Sequence, residues 1–305
     1  MDTLPISPAL CQTYQPGASI RWADWTMEPK LDGYRVVARV GRGTVRLYAR
    51  SGADLTGRLP HVEASLREWA DQHADGQFSV LDCEAVYLDP DTGLADFLWT
   101  AAVMKSKPAV AAAKQRASGR WLTLMAFDAP YLLGVDLTGQ PIEVRRQALA
   151  TICAAGFTGL QAIPHGTASP ERHAEYCARG EGSVLKRRGS AYPRGRSADW
   201  LKWKMAAEAD VVILGFTPGT GKYADTVGAI RFGQYRDGDL VERGQCSGMT
   251  DAQRRDMGRH PERYLGRTMA ISHNGVLVGG EAYRHPQYRG VRDDKAPQEC
   301  MWEAA

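Results

Sequence analysis

Beyond Met205 the chain changes texture, and that change limits the folds open to it more than any other feature. Up to that point helical and extended patterns interleave. After it, short apolar and β-branched runs follow one another at residues 210–216, 227–235, 240–247, 269–273 and 276–283. Asp237-Gly238-Asp239 and Asn274-Gly275 carry tight-turn chemistry. One helix is expected among these runs, because Thr250 and Gln253 have capping-box spacing, with Gly258 ending it. Five short strands and one helix suit a small β-barrel, an OB-fold. The boundary falls near residues 205–209, giving domains at 1–206 and 207–305.

The first part reads as α+β. Residues 34–40 and 44–50 form a hairpin around Gly41-Arg42-Gly43. Residues 58–73, 108–116 and 142–155 have helical character, the last stopping at Gly156. Residues 78–89 make a long strand, and 122–133 a strand broken by Asp128-Ala129-Pro130. Ser169-Pro170-Glu171 opens another helix. With 44% hydrophobic and 24% charged residues the chain is globular rather than disordered. No apolar run approaches the ~18 residues of a membrane span. Met1-Asp2-Thr3-Leu4-Pro5 lacks a signal-peptide pattern. A cytoplasmic monomer without membrane attachment is therefore expected. The six cysteines (11, 83, 153, 177, 246 and 300) include no C-x-x-C pair, which argues for reduced thiols over a zinc or disulfide framework.

Net charge is only +3, but its distribution is uneven. Residues 179–204 hold eight Lys or Arg against two acids, whereas residues 210–305 hold thirteen of each sign. The cationic segment is either a solvated face or a contact for an anionic partner such as a nucleotide or a nucleic-acid backbone.

Glu28-Pro29-Lys30-Leu31-Asp32-Gly33-Tyr34-Arg35 is the strongest local signal. Alone, a K-x-D-G string is an ordinary surface lysine before a turn. As a nucleophile Lys30 must lose its proton, and at a pKa near ~10.4 only a tiny fraction is neutral at pH 7, so nearby cations or a metal are needed. Trp200-Leu201-Lys202-Trp203-Lys204, read as a strand, puts Lys202 and Lys204 on one face and Leu201, Trp203 and Met205 on the other. Leu81-Asp82-Cys83-Glu84-Ala85 likewise pairs Asp82 with Glu84 on one face, either solvated or able to hold a hard metal or a ribose hydroxyl. Glu181 leads into a further strand, Phe127 ends an apolar one, and Arg50 is either a phosphate contact or a plain surface arginine.

In order, the chain carries Glu28-x-Lys30-x-Asp32-Gly33-x-Arg35, Arg50-Ser51-Gly52, Asp82-Cys83-Glu84, Phe127-Asp128, Glu181-Gly182, Lys202-Trp203-Lys204 and Arg292-Asp293-Asp294-Lys295. This set resembles the ordered motifs of the covalent nucleotidyltransferases, and most of all the bacterial and phage ATP-dependent DNA ligases. Each motif is weak; seven in sequence are specific. Ser51 and Cys83 depart from the common asparagine and glycine, at positions without chemistry.

The resemblance implies an adenylation domain of antiparallel sheets with flanking helices, residues 1–206, then an OB-fold domain, residues 207–305. It implies that Lys30 attacks the α-phosphate of ATP, that AMP passes to the 5′-phosphate of nicked duplex DNA, and that the 3′-hydroxyl displaces it. Glu28 would read adenine and Phe127 stack on it. Arg35 and Arg50 would meet ribose or phosphates, Glu84 ribose or metal, and Glu181 metal, with Mg²⁺ expected and Mn²⁺ as the alternative. Lys202 and Lys204 would clamp the α-phosphate. Arg292 and Lys295 would orient the pyrophosphate from a moving second domain. An mRNA-capping guanylyltransferase, an RNA ligase and a non-catalytic nucleic-acid-binding protein are the alternatives. An NAD-dependent ligase is disfavoured by the 29 residues before Lys30 and the lack of a four-cysteine zinc site. Nothing in the sequence identifies a recruiting partner.

Overall fold

Alternation of side chains along the strands decides which face of each sheet is buried. The computed structural model describes residues 4–15, 19–205, 207–276 and 281–302. The chain divides into two units, Met1–Lys204 and Met205–Ala305. Along the first run β1 (Leu10–Thr13), β2 (Trp25–Pro29), β3 (Tyr34–Gly41), β4 (Thr44–Ala49), α1 (Pro60–His73), β5 (Phe78–Val86), α2 (Phe97–Met104) and α3 (Pro108–Ser118). Then come β6 (Thr123–Leu132), β7 (Val135–Asp136), α4 (Ile142–Cys153), β8 (Leu160–Ala162), β9 (Gly166–Thr167), α5 (Pro170–Cys177), β10 (Gly182–Arg187) and β11 (Arg196–Lys204).

These strands form two sheets, ordered β1-β11-β10-β2-β9 and β4-β3-β5-β6-β7, with β8 beside β6. In the first, Trp25, Met27 and Leu185 pack with Ala168, Leu201, Trp203 and Tyr176 on one face. In the second, Val36, Ala38, Leu81, Cys83 and Ala85 pack with Val62 and Leu66 of α1, Val103 of α2 and Leu149 and Ile152 of α4. The remaining faces share a smaller cluster, in which Val37, Tyr48, Val80 and Phe127 of the second sheet meet Trp200 of the first, together with Ile6, Ala9, Ile163 and Tyr192. The polar residues of both sheets therefore border one region.

Several sequence expectations need correction. Asp128-Ala129-Pro130 does not break β6. The strand runs through, and two register shifts opposite Val80–Cys83 absorb the proline that cannot donate to the ladder. β5 ends at Val86 rather than residue 89, because the Asp89 side chain accepts from the Asp91 and Thr92 amides and closes a turn. Helix α2 was not foreseen: Phe-Leu-Trp-Thr-Ala-Ala-Val-Met is too uniformly apolar to show a helical period. Ser169 caps α5 as expected, accepting from the Arg172 amide.

The second unit has β12 (Ala207–Pro218), β13 (Val227–Arg236), β14 (Asp239–Cys246), α6 (Asp251–Arg259), β15 (Thr268–His273) and β16 (Gln287–Val291). Its sheet runs β14-β13-β12-β15-β16, all antiparallel. Val211, Ile213, Ile230, Phe232, Met257, Met269, Ile271 and Tyr288 form its core. Asp237 (φ 55°) and Gly238 (φ 92°) make the two-residue turn between β13 and β14. The capping box of Thr250 and Gln253 is present, but Gly258 lies inside α6, which ends one residue later. Of the expected strand 276–283, residues 277–280 lie outside those described; Val276 and Tyr283 form one antiparallel bridge. A closed barrel is not observed among the described residues. β14 stops at Cys246 as the chain turns toward α6, and only Ser247 reaches across, its carbonyl accepting from Tyr288 N at 2.7 Å. No described helix is long and apolar enough to cross a membrane. All six cysteines are free thiols.

Gly33 shows why the Lys30-x-Asp32-Gly33 motif carries a glycine. A Cβ there would overlap the Ala85 carbonyl oxygen and lie 2.8 Å from Glu84 Cγ, so the entry to β3 needs a bare backbone against β5. Gly33→Ala should destabilise the protein by about 1–3 kcal/mol, the usual cost of overpacking. Denaturant unfolding followed by circular dichroism checks this, and an unchanged midpoint refutes it.

Candidate active site

Lys30 directly follows β2, and its amide donates to the Gly182 carbonyl at 2.9 Å. That bond ties the loop after β2 to the start of β10 and so brings Glu181 to the lysine. The Lys30 ammonium donates to Glu181 Oε2, with 22% of the lysine side chain exposed and 3% of the glutamate.

Register then lines up the next groups. Glu28 on β2, Val184 on β10 and Lys202 on β11 stand opposite one another, and Lys204 stands opposite Gly182. Lys202 and Lys204 therefore share the Glu28 face, as alternation predicts. Trp203 faces the other way and stacks on His173, with centroids 3.6 Å apart. His173 Nδ1 is 2.8 Å from Ser183 Oγ, and burial lowers the imidazole to about 4, so it is neutral.

Glu28 is buried and held at both oxygens. Arg146 of α4 donates to Oε2 at 2.6 Å, and Lys186 Nζ lies 2.8 Å from Oε1. Arg146 also donates to Thr26 Oγ1 at 2.7 Å. Lys186 is fully buried, donates to the Phe127 carbonyl at 3.1 Å and sits 3.9 Å from the Trp200 ring centroid. Burial lowers its amino group's pKa, while Glu28 pulls the other way. The Phe127 ring is mostly buried, with Arg35 at 4.6 Å and Lys186 at 4.5 Å from its centroid.

On the second sheet Arg35 makes two 2.5 Å bonds to Asp82, which also accepts from the Tyr192 hydroxyl. The expected Asp82–Glu84 pair is thus split: Asp82 is committed to Arg35 and Tyr192, while Glu84 feels the charges of Arg35 and Lys30. Burial pushes the Glu84 carboxyl up to about 7, against the pull of Arg35 and Lys30. Arg50 is exposed at the end of β4 and has no hydrogen bond or ion pair to a described residue. No three His, Cys, Asp or Glu side chains converge on one point among the described residues. Arg187, Arg188, Arg194 and Arg196 are all exposed.

Arg292 and Lys295 belong to the second unit, where both meet Asp210: Arg292 NH1 at 3.3 Å from Oδ1 and Lys295 Nζ at 2.8 Å from Oδ2. Arg292 also donates twice to Asp294, each at 2.7 Å. They border a cavity of about 510 Å³ that Arg267 and Thr268 also line.

Sequence reasoning missed Arg145, Arg146 and Tyr192. Arg145 is fully buried on Asp128. An Arg-Arg pair on a helix carries no sign that both side chains point inward; only the carboxylates of Glu28 and Asp128, set among apolar residues, hint that a buried cation must answer them.

Residues 8–204 match the model of the ATP dependent DNA ligase domain. The chain belongs to the ATP-dependent DNA ligase family. It is 35% identical over 215 residues to the multifunctional non-homologous end joining protein LigD of Pseudomonas aeruginosa, covering 70% of this chain and 24% of that protein. The chain thus spans about a quarter of the length of that ligase relative. The solved structure of mycobacterial DNA ligase D complexed with ATP and MES is 26% identical, with TM-score 0.56 over 98% of each chain. A structure from work on DNA binding by Lig E DNA ligases with a minimal scaffold matches at TM-score 0.69 and 21% identity, over 95% of this chain and 100% of that one. The fold is the mixed α/β nucleotidyltransferase-like ligase fold with antiparallel sheets.

The Glu28–Arg146 pair is almost shut off from water, so removing one partner strands the other. Arg146→Met should cost about 3–5 kcal/mol. Thermal and denaturant unfolding measure it; a loss under ~1 kcal/mol would mean that Lys186 alone satisfies Glu28.

Proposed function

We propose that the chain seals nicks in duplex DNA through a lysyl-AMP intermediate on Lys30. The observation that carries this is the pairing of Lys30 with the buried Glu181, on a face shared with Lys202 and Lys204. A lone surface lysine needs no buried carboxylate partner. A nucleophile that must first lose a proton benefits from a fixed acceptor and from cations nearby. The Lys30 nitrogen would form a bond to the α-phosphorus as the bond to the leaving oxygen breaks, the electron pair departing with pyrophosphate. AMP would then pass to the 5′-phosphate of the nick, and the 3′-hydroxyl oxygen would displace it.

Glu28, paired with two cations, is an acceptor aimed at a donor. It suits the 6-amino group of adenine and opposes the 6-oxo group of guanine. Phe127 supplies an aromatic wall, and Lys202 and Lys204 charge for the α-phosphate. Arg35 is occupied by Asp82, so its part is to hold the sheet and wall in place; Arg50 is the arginine open to a phosphate. Glu84 and Glu181 fit a hard divalent cation, Mg²⁺ or Mn²⁺, by donor chemistry. Glu181 bonds Lys30, Glu84 is within electrostatic reach of it, and the raised Glu84 carboxyl is the state expected where a positive charge is called for. Such an ion would neutralise phosphate charge. Residues 1–206 are the adenylation domain in this reading. The second unit, residues 207–305, is an OB-type domain, supported by a five-stranded antiparallel sheet whose edges touch at Ser247 and Gln287.

With ATP and a divalent cation, one AMP should appear on Lys30 by intact-mass and peptide mapping, and GTP should label far more weakly. An adduct elsewhere refutes the lysine assignment, and preferential GTP labelling moves the chain to the capping branch. Nick affinity should fall steeply with salt. Changing Arg187, Arg188, Arg194 and Arg196 together to Ala should flatten the log–log slope by about 0.9 for each phosphate that is no longer neutralised. An unchanged slope returns these arginines to a solvated face.

A further inference from the structure

Arg292 and Lys295 carry like charges, and like charges brought together repel unless something negative joins them. One carboxylate does so. Asp210 bonds Arg292 through Oδ1 and Lys295 through Oδ2, at 3.3 and 2.8 Å. Its side chain is 18% exposed, against 40% and 32% for the two cations, so the anchor is the most buried of the three. Its place is fixed from both sides. Asp210 lies in β12 opposite Ala270 of β15, and its backbone carbonyl accepts from the buried Gln234 side chain at 2.9 Å. The Arg292 amide in turn donates to the Thr268 carbonyl at 2.8 Å, holding the segment after β16 against β15.

We propose that Asp210 is the positioning residue that sets Arg292 and Lys295 side by side as a two-pronged contact for the pyrophosphate leaving group. This rests on the reading of those two cations given above. Asp294 does not replace it, because it bonds Arg292 alone and is itself exposed. Without Asp210 the lysine loses its partner and the arginine turns wholly to Asp294. Asp210 touches no substrate and acts only through the two cations.

The test separates the steps of the reaction on the full chain. Asp210→Asn keeps the shape and the backbone bonds but removes the charge. It should slow enzyme–AMP formation from ATP by about tenfold or more, with the apparent KM for ATP rising, while sealing of a nick already carrying AMP on its 5′-phosphate stays within about twofold of wild type. Asp210→Glu, which restores a carboxylate, should recover part of the first step. Asp210→Ser serves as the second variant if the amide disturbs folding, and the same split between steps is expected. In an Arg292→Ala/Lys295→Ala background the Asp210→Asn change should have no further effect on the first step. Wild-type rates of enzyme–AMP formation, or equal losses in both steps, overturn the proposal. Arg292→Ala run alongside keeps the two ideas apart. If that variant forms enzyme–AMP normally, the reading of the cations themselves fails. If it is defective and Asp210→Asn is not, only the role of Asp210 fails.

Discussion

Glu28 is a carboxylate with almost no exposure to water, and taking it there costs several kcal/mol unless positive charge follows it inside. Two cations do, from two different elements: Arg146 of α4 and Lys186 of β10. The arrangement holds only if β2 and β10 keep their register and α4 keeps its face, so one ion network fixes a helix and two strands at once. Lys186 extends it to the second sheet by donating to the Phe127 carbonyl. The position of Lys30 follows, since it sits two residues beyond Glu28 and is bonded to Gly182 at the end of the same strand pair.

The interior between the sheets is not neutral. Asp82, Asp128 and Glu28 are joined in ion pairs with Arg35, Arg145, Arg146 and Lys186, three acids against four bases, and the buried Glu181 pairs with Lys30 beside them. Glu84 offsets only part of the excess near neutrality, because burial pushes its carboxyl up to about 7. Lys202 and Lys204 add to the positive side of the same face. A region built this way favours an anion, which under the proposed reading a nucleotide triphosphate would supply. That preference belongs to the fold before any ligand arrives, which is what preorganisation means in electrostatic terms.

Much of this was legible in the sequence because strand alternation is local. The faces of Lys202, Lys204 and Trp203 follow from counting by twos, and the proposed nucleophile, Lys30, is picked out by its motif. What alternation cannot supply is register across strands or partners across the chain. Nothing in residues 25–29 says that Glu28 meets Arg146, 118 positions away, or that Asp82 is taken by Tyr192, 110 away. For the same reason alternation puts Asp82 and Glu84 on one face of one strand without showing that Asp82 is already taken. The irregular stretch at Asp128-Ala129-Pro130 looked like a break because a proline cannot donate to a ladder, whereas a bulge lets a strand carry it. Helix α2 left no trace because a uniformly apolar segment has no period, and barrel closure depends on where β14 ends, which no turn signal marks.

The two units use ion pairs in opposite ways. In the first, the pairs of Glu28 and Asp128 are almost shut away from water, so these ion pairs are not given up when a ligand binds, and any contact of Glu28 to a base adds to them. In the second, Arg292 and Lys295 are bound to carboxylates while their side chains stay 40% and 32% exposed. Water screens such pairs, and their net strength is small, typically below ~1 kcal/mol for a pair at a surface. Under the proposed reading an incoming polyphosphate can displace the exposed Asp294 from Arg292, while the less exposed Asp210 stays as the anchor of both cations. Groups that must hold a fixed geometry are therefore placed where exchange is costly, and groups that must change partners are placed where it is cheap. Burial, more than residue type, separates the two sets of arginines and lysines.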